Sequence, residues 1–171
     1  FCGYFVVADP SGHLQDAYVD ALVAEIRLYR KRGILAGKTV TSVNFGGGTP
    51  SLLTVPQLAR LFLALANACP SFHATAQEIS IEATPESVSP ERAAAWLDLG
   101  IRRVSLGVQS FDAGEIAATR RHNLPDVSRQ ALEILRTAGI PNVCCDLMYG
   151  LDGQTLASWE ASVRALVSER P

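Results

Sequence analysis

The sequence predicts an α/β fold built on parallel strands, with helices on one side of a sheet that curves toward a partial barrel. Three observations carry this expectation. Runs rich in β-branched and aromatic residues at 39–45, 77–83, 103–111 and 142–149 alternate with five or six segments of helical periodicity, which is the pattern of βαβ units. Three consecutive glycines, Gly46-Gly47-Gly48, follow the first run directly. A polar residue then stands at or near the end of each later run: Glu82, Gln109 and Asp146. Right-handed crossovers put every helix on one side of a closing sheet, and the ligand of such a barrel lies over the C-terminal strand ends. Four polar features from four strands are therefore expected to converge.

The elements can be justified in chain order. Tyr18, Leu22, Ile26 and Tyr29 recur at helical spacing, and Gly33 ends that helix. After the first strand and the glycine loop, Thr54 and Gln57 form a capping box. Leu58, Leu61, Phe62 and Leu65 then make one apolar face, and Pro70 ends the helix. The second strand follows, and Ser89-Pro90 starts a third helix that closes at Gly100. The third strand leads into a short helix begun by Asp112 and Glu115, then a helix over 126–138 stopped by Gly139. The fourth strand is followed by a turn through Gly150 and Gly153 and a last amphipathic helix with Leu156, Trp159, Val163 and Leu166.

Composition narrows the function classes. The 171 residues are long enough for one domain with a real core, and 48% hydrophobic with 19% charged residues is ordinary for a globular protein. A net charge of -2 and a pI near 5.9 give no electrostatic case for nucleic acid or an anionic lipid surface. The most apolar run, residues 58–69, is too short to span a bilayer and contains Arg60. Cys2, Cys69, Cys144 and Cys145 lack the spacing of a zinc site or a secreted disulfide framework. The chain opens on Phe1 and stops at Pro171 straight after a predicted helix, which reads as a single-domain piece, 1–171, of a longer protein.

The glycine triplet removes every Cβ from a strand-to-loop turn, so a ligand could meet bare backbone N–H groups there. No lysine follows at P-loop spacing, and Ser51 stands where a dinucleotide fingerprint requires its third glycine. A nucleotide phosphate is not the favoured ligand; a tight turn with no ligand would use the same triplet.

The run 46–51 (Gly-Gly-Gly-Thr-Pro-Ser), the strand Ile81-Glu82-Ala83, the segment 105–111 (Ser-Leu-Gly-Val-Gln-Ser-Phe) and the stretch 146–155 (Asp-Leu-Met-Tyr-Gly-Leu, then Gly153-Gln154-Thr155) resemble the radical S-adenosylmethionine (SAM) superfamily. More narrowly, they resemble its oxygen-independent coproporphyrinogen III oxidase-like branch, which includes the heme chaperone HemW and anaerobic heme-degrading methyltransferases. The resemblance covers nearly the whole chain in consistent order and implies a partial (β/α)6 TIM-like barrel of the radical SAM type. That branch carries a Cys-x-x-x-Cys-x-x-Cys motif with an aromatic residue before its third cysteine, and Phe1-Cys2 matches its end. The resemblance thus implies Cys2 as one thiolate of a [4Fe–4S] cluster, with the other two cysteines before residue 1.

The resemblance further implies that Gly47, Gly48 and Thr49 hold the methionine portion of SAM, Glu82 accepts from its ribose hydroxyls, and Phe1 contacts the adenine side. Gln109, Arg121 and Asp146 match positions that contact SAM, including a second SAM molecule, in the coproporphyrinogen oxidase. The implied chemistry is cleavage of SAM to a 5′-deoxyadenosyl radical acting on a porphyrinogen or heme-like substrate, by oxidative decarboxylation or by radical C-methylation, with a heme chaperone that keeps the same sites for heme delivery as the alternative. A flavodoxin or ferredoxin would donate the electron, in the reducing cytoplasm. On residue chemistry alone, plainer readings stand beside these: Glu82 as a helix-capping carboxylate, Arg121 as a solvated cation, and Asp146 bonded to backbone at a sheet end.

Overall fold

The computed structural model describes residues 12–119 and 124–171. Its sheet comprises β1 (Ser42–Phe45), β2 (Glu78–Ala83), β3 (Arg103–Gln109) and β4 (Asn142–Leu147), in the spatial order β1-β2-β3-β4 with every pairing parallel. Sequential order without a reversal is the arrangement of a barrel wall; a doubly wound sheet would reverse at a switch point. The helices are α1 (His13–Lys31), α2 (Val55–Ala68), α3 (Phe72–Thr75), α4 (Pro90–Asp98), α5 (Ala113–Ala118), α6 (Pro125–Ala138) and α7 (Leu156–Glu169). Short 3₁₀ turns lie at Pro50–Leu52 and Pro85–Ser87. The one-turn α3 is additional to the helices expected from sequence, because a single turn has no periodicity to read; it seats Phe72 fully in the core.

The two faces of the sheet have opposite chemistry, as a period of two requires. On one face Ile79, Ile81 and Ala83 of β2 and Val104, Leu106 and Val108 of β3 pack with Leu58 and Phe62 of α2, Trp96 of α4, and Leu132 and Leu135 of α6. Each fully buried aliphatic side chain there contributes about 1.5–3 kcal/mol. The other face is polar and cross-linked between strands. The Ser80 hydroxyl donates to Asn44 Oδ1 (2.8 Å), Ser105 donates to Asp146 Oδ2 (3.0 Å), and Arg103 pairs with Glu78 (3.3 Å). This second face leads up to the strand ends where the site lies.

The caps follow their sequence signals. Thr54 and Gln57 complete a reciprocal capping box, and the Ser89, Asp112 and Thr155 side chains each accept from the backbone N–H three residues on. Gly139 closes α6 at φ 84°.

Two helical faces differ from the expected stripes. In α1 the buried seam is Val19 and Val23, set against Leu61 and Ala64 of α2, while Tyr18 and Tyr29 are exposed. Tyrosine keeps its hydroxyl in water at little loss, and that of Tyr29 donates to Glu25 Oε1 (2.9 Å). In α7 the deeply buried residue is Ser162, while Leu156 and Val167 stay exposed at 74% and 69%. That helix docks through a serine because it meets polar backbone at the end of β3. No helix of the described residues is long and apolar enough to cross a membrane.

Candidate functional site

A cleft of about 120 Å³ opens over the C-terminal ends of the strands, lined by Gly48, Thr49, Glu82, Ser105, Gln109 and Asp146 among others. The loop after β1 and the strands β2, β3 and β4 each supply part of it. A larger groove of about 330 Å³ lies between α1 and α2, lined by Asp20, Arg27, Arg60 and Leu63 among others. It sits in the helical layer, and its best-placed charges, Asp20 and Arg60, already neutralise each other as an ion pair. The strand-end cleft, with carboxylates from two strands facing bare backbone, is the better chemical site.

The glycines build its floor for different reasons. A Cβ on Gly46 would stand 2.7 Å from Asn44 Nδ2 and 2.8 Å from Glu82 Oε1, so Gly46 is required by close approach. Gly47 and Gly48 have φ of 80° and 56°, which side-chain-bearing residues adopt only with strain, and open space surrounds the position of their missing Cβ atoms. Gly48 lines the cleft directly, with Gly47 beside it. Glu82 is half-buried, and its Oε2 accepts from the Gly47 N–H at 3.1 Å. The loop is also anchored behind the cleft, where Ser51 is fully buried, its hydroxyl 2.7 Å from that of Ser87 and its carbonyl bonded by Arg92.

The end of β3 is unusual. Gln109 is buried and has a φ of 71°, and the Ser110 N–H donates to the Val108 carbonyl across it (3.0 Å), forming a γ-turn with its central residue in the left-handed region. Such backbone costs on the order of 1–3 kcal/mol and is concentrated at functional sites. The pairing with β4 shifts register between Gly107 and Gln109, and the Met148 N–H donates to the Gln109 carbonyl (2.8 Å). One strand over, Asp146 is exposed and held through the Ser105 hydroxyl.

The structure thus brings together Gly48, Thr49, Glu82, Gln109 and Asp146, with the Gly47 N–H bonded to Glu82 beside them. Phe1, Cys2 and Arg121 lie outside the described residues. Glu82 bonds the glycine loop and caps no helix, and Asp146 holds a serine hydroxyl. Sequence reasoning missed Ser105, whose place two residues before Gly107 on the polar face of β3 was the available signal. It also missed the Ser51–Ser87 contact, which no local pattern announces.

The donor set fits a zwitterionic, hydroxyl-bearing ligand. Glycine N–H and C=O groups match an amino-acid end, and a carboxylate with two oxygens and about four acceptor positions can keep the Gly47 N–H and still accept from a diol. Among the described residues no group of three His, Cys, Asp or Glu side chains could hold a metal ion, and Cys69, Cys144 and Cys145 are free thiols.

A sequential parallel sheet with helices on one face, and a glycine loop and carboxylates over its strand ends, defines a barrel-type ligand-binding domain. The family profile described as the radical SAM superfamily matches residues 1–166, and the chain belongs to that superfamily. Its members use a [4Fe–4S] cluster and SAM, and the glycine loop and Glu82 fit SAM on the geometry above. The chain is 34% identical over 155 residues to the oxygen-independent coproporphyrinogen III oxidase of Cereibacter sphaeroides, covering 91% of this chain and 34% of that protein. It is 35% identical over 154 residues to the heme chaperone HemW of Synechocystis, covering 90% and 36%. The structure of the Escherichia coli coproporphyrinogen III oxidase HemN, a radical SAM enzyme, superposes with a TM-score of 0.89 at 30% identity, covering 99% of this chain and 38% of that one. The chain spans about a third of the length of these relatives.

Proposed function

We propose that this chain is the single radical SAM core domain of a longer polypeptide that cleaves SAM and acts on a tetrapyrrole-like substrate, as an oxygen-independent coproporphyrinogen III oxidase-like enzyme. The observation that carries the reading is the cleft in which Gly48, Thr49, Glu82, Gln109 and Asp146 meet. In this reading Gly47, Gly48 and Thr49 pair with the ammonium and carboxylate of the methionine portion, and Glu82 accepts from the ribose hydroxyls. Gln109 and Asp146 offer an amide and a carboxylate on the facing side, and Arg121 a bidentate donor for a carboxylate. Phe1 lies on the adenine side, and Cys2 supplies one thiolate to the cluster. Cys2 would hold the cluster, which when bound and reduced would supply the electron for reductive cleavage of the sulfonium. The protein orients the ligand and keeps water and oxygen from it. A flavodoxin or ferredoxin as electron donor and a cytoplasmic setting belong to the same reading.

The similarity to HemW, at much the same identity, supports a second reading in which the same sites serve heme delivery. Anaerobic reconstitution of the full polypeptide with iron and sulfide, followed by reduction and SAM, tests both. The oxidase reading expects 5′-deoxyadenosine, dependent on Cys2, together with consumption of coproporphyrinogen III. A loaded cluster with no consumption, but with transfer of heme to an apoprotein, favours the chaperone. A loaded cluster with neither activity defeats both.

A further inference from the structure

The site described above does not account for Glu115, a carboxylate 4% exposed at the third residue of α5. Its Oε2 accepts two hydrogen bonds, one from the Ser110 hydroxyl (2.6 Å) and one from the Gln154 amide (2.9 Å). Its Oε1 has no hydrogen-bond partner among the described residues. Burying a carboxylate is unfavourable unless it is hydrogen-bonded or paired, and both donors here lead to the cleft.

Ser110 is the residue after the left-handed Gln109. Its hydroxyl is fully used: it donates to Glu115, accepts from the Asp112 N–H (2.9 Å), and lies 3.2 Å from the Ser162 hydroxyl. Ser162 in turn accepts from the Phe111 N–H (3.1 Å), so α7 is docked onto the same turn. With its own proton given to Glu115, Ser110 holds residues 109–112 in one conformation, which keeps the γ-turn at Gln109 from relaxing.

Gln154 does the same for the segment after β4. Its Nε2 donates to Glu115 and to the Met148 carbonyl (3.1 Å), and its Oε1 accepts from the N–H groups of Gly150 (2.6 Å) and Leu151 (3.4 Å). The Met148 N–H closes the circuit on the Gln109 carbonyl (2.8 Å). A single carboxylate therefore ties the end of β3, which carries Gln109, to the end of β4, which carries Asp146.

We infer that Glu115 and Gln154 are positioning residues, a buried clamp that fixes Gln109 and Asp146 relative to each other for the bound ligand. The inference rests on the reading of the cleft as a SAM site; the hydrogen bonds of the clamp stand apart from that reading.

The test uses the full polypeptide and three variants. Glu115→Met keeps the volume and removes the acceptor, Glu115→Gln keeps an acceptor oxygen for both donors, and Gln154→Ala removes the other half. Equilibrium binding of SAM should weaken about tenfold in Glu115→Met and in Gln154→Ala, and stay within about threefold of the parent in Glu115→Gln, at equal iron content. A second readout needs no ligand: amide hydrogen exchange at Met148 and Gly150 should speed up roughly tenfold in the first two variants and be restored in Glu115→Gln. If Glu115→Met does not fold, Gln154→Ala, at a half-buried position, carries the test alone. Unchanged exchange at those amides in a folded variant overturns the clamp whatever the protein binds. Faster exchange with unchanged SAM affinity overturns its positioning role. A parent protein that binds no SAM defeats the reading of the cleft, and the exchange data then decide the clamp separately.

Discussion

Cys144 and Cys145 show at the scale of one residue how the sheet turns sequence neighbours into different chemical species. They point to opposite faces of β4: Cys144 is exposed, with the Arg103 guanidinium donating to its Sγ at 3.3 Å, while Cys145 packs against the core. Burial, reinforced by the nearby Asp146 and Cys144, pushes the Cys145 thiol up to about 12. Because the thiolate is the reactive form, Cys145 is silent at pH 8. Brief alkylation at that pH, read by fragment mass spectrometry, should label Cys144 and leave Cys145 unmodified; equal labelling would show that β4 does not hold its register. Strand alternation alone puts the two side chains on opposite faces. Gln109 was legible only as a polar residue near a strand end, because nothing in its neighbours announces a positive φ. The need for Gly46 was likewise hidden, since the groups it accommodates, Asn44 and Glu82, include one from the adjacent strand.

Elements with complete local signals were read closely, and elements defined by their partners were not. The Thr54–Gln57 box and the Gly139 stop are local chemistry, and both appear as expected. Removing the first should be measurable: Thr54→Ala leaves the Gln57 N–H without its acceptor and costs about 1 kcal/mol. Chemical denaturation should show a lower midpoint at unchanged slope, and an unchanged midpoint would mean that packing alone sets the start of α2. The expected stripes were half right: Leu22 and Ile26 of α1 pack against the seam and Trp159 and Leu166 of α7 are half-buried, while Tyr18, Tyr29, Leu156 and Val163 are exposed. What fixes α1 is the seam against α2, and what fixes α7 is Ser162 bonded to the turn after β3. A buried serine has no hydrophobic signal, so a periodicity argument passes over it.

At the scale of the whole molecule, the sequential parallel sheet explains how residues as far apart in the chain as Gly48 and Asp146 come to line one cleft. Each strand contributes at its C-terminal end, and the apolar faces of β2 and β3 hold those ends against α2, α4 and α6. Alternation of strands and helices made this arrangement readable, and it put the glycine loop, Glu82, Gln109 and Asp146 over the same strand ends, where the cleft lies. The clamp through Glu115 and Gln154 was not readable, because it joins the loop after β3 to the loop after β4 through side chains with no sequence signature of their own. The central claim is that this cleft binds SAM, and the most direct test is the equilibrium affinity of the reconstituted full polypeptide and its Glu82→Ala variant for SAM, at matched iron content. Loss of hydrogen bonds to a carboxylate is worth about 1.5–3 kcal/mol, so binding should weaken by roughly ten- to a hundredfold while the iron content stays the same. Equal affinity in the two proteins would contradict the claim and send the search for the ligand elsewhere on the molecule.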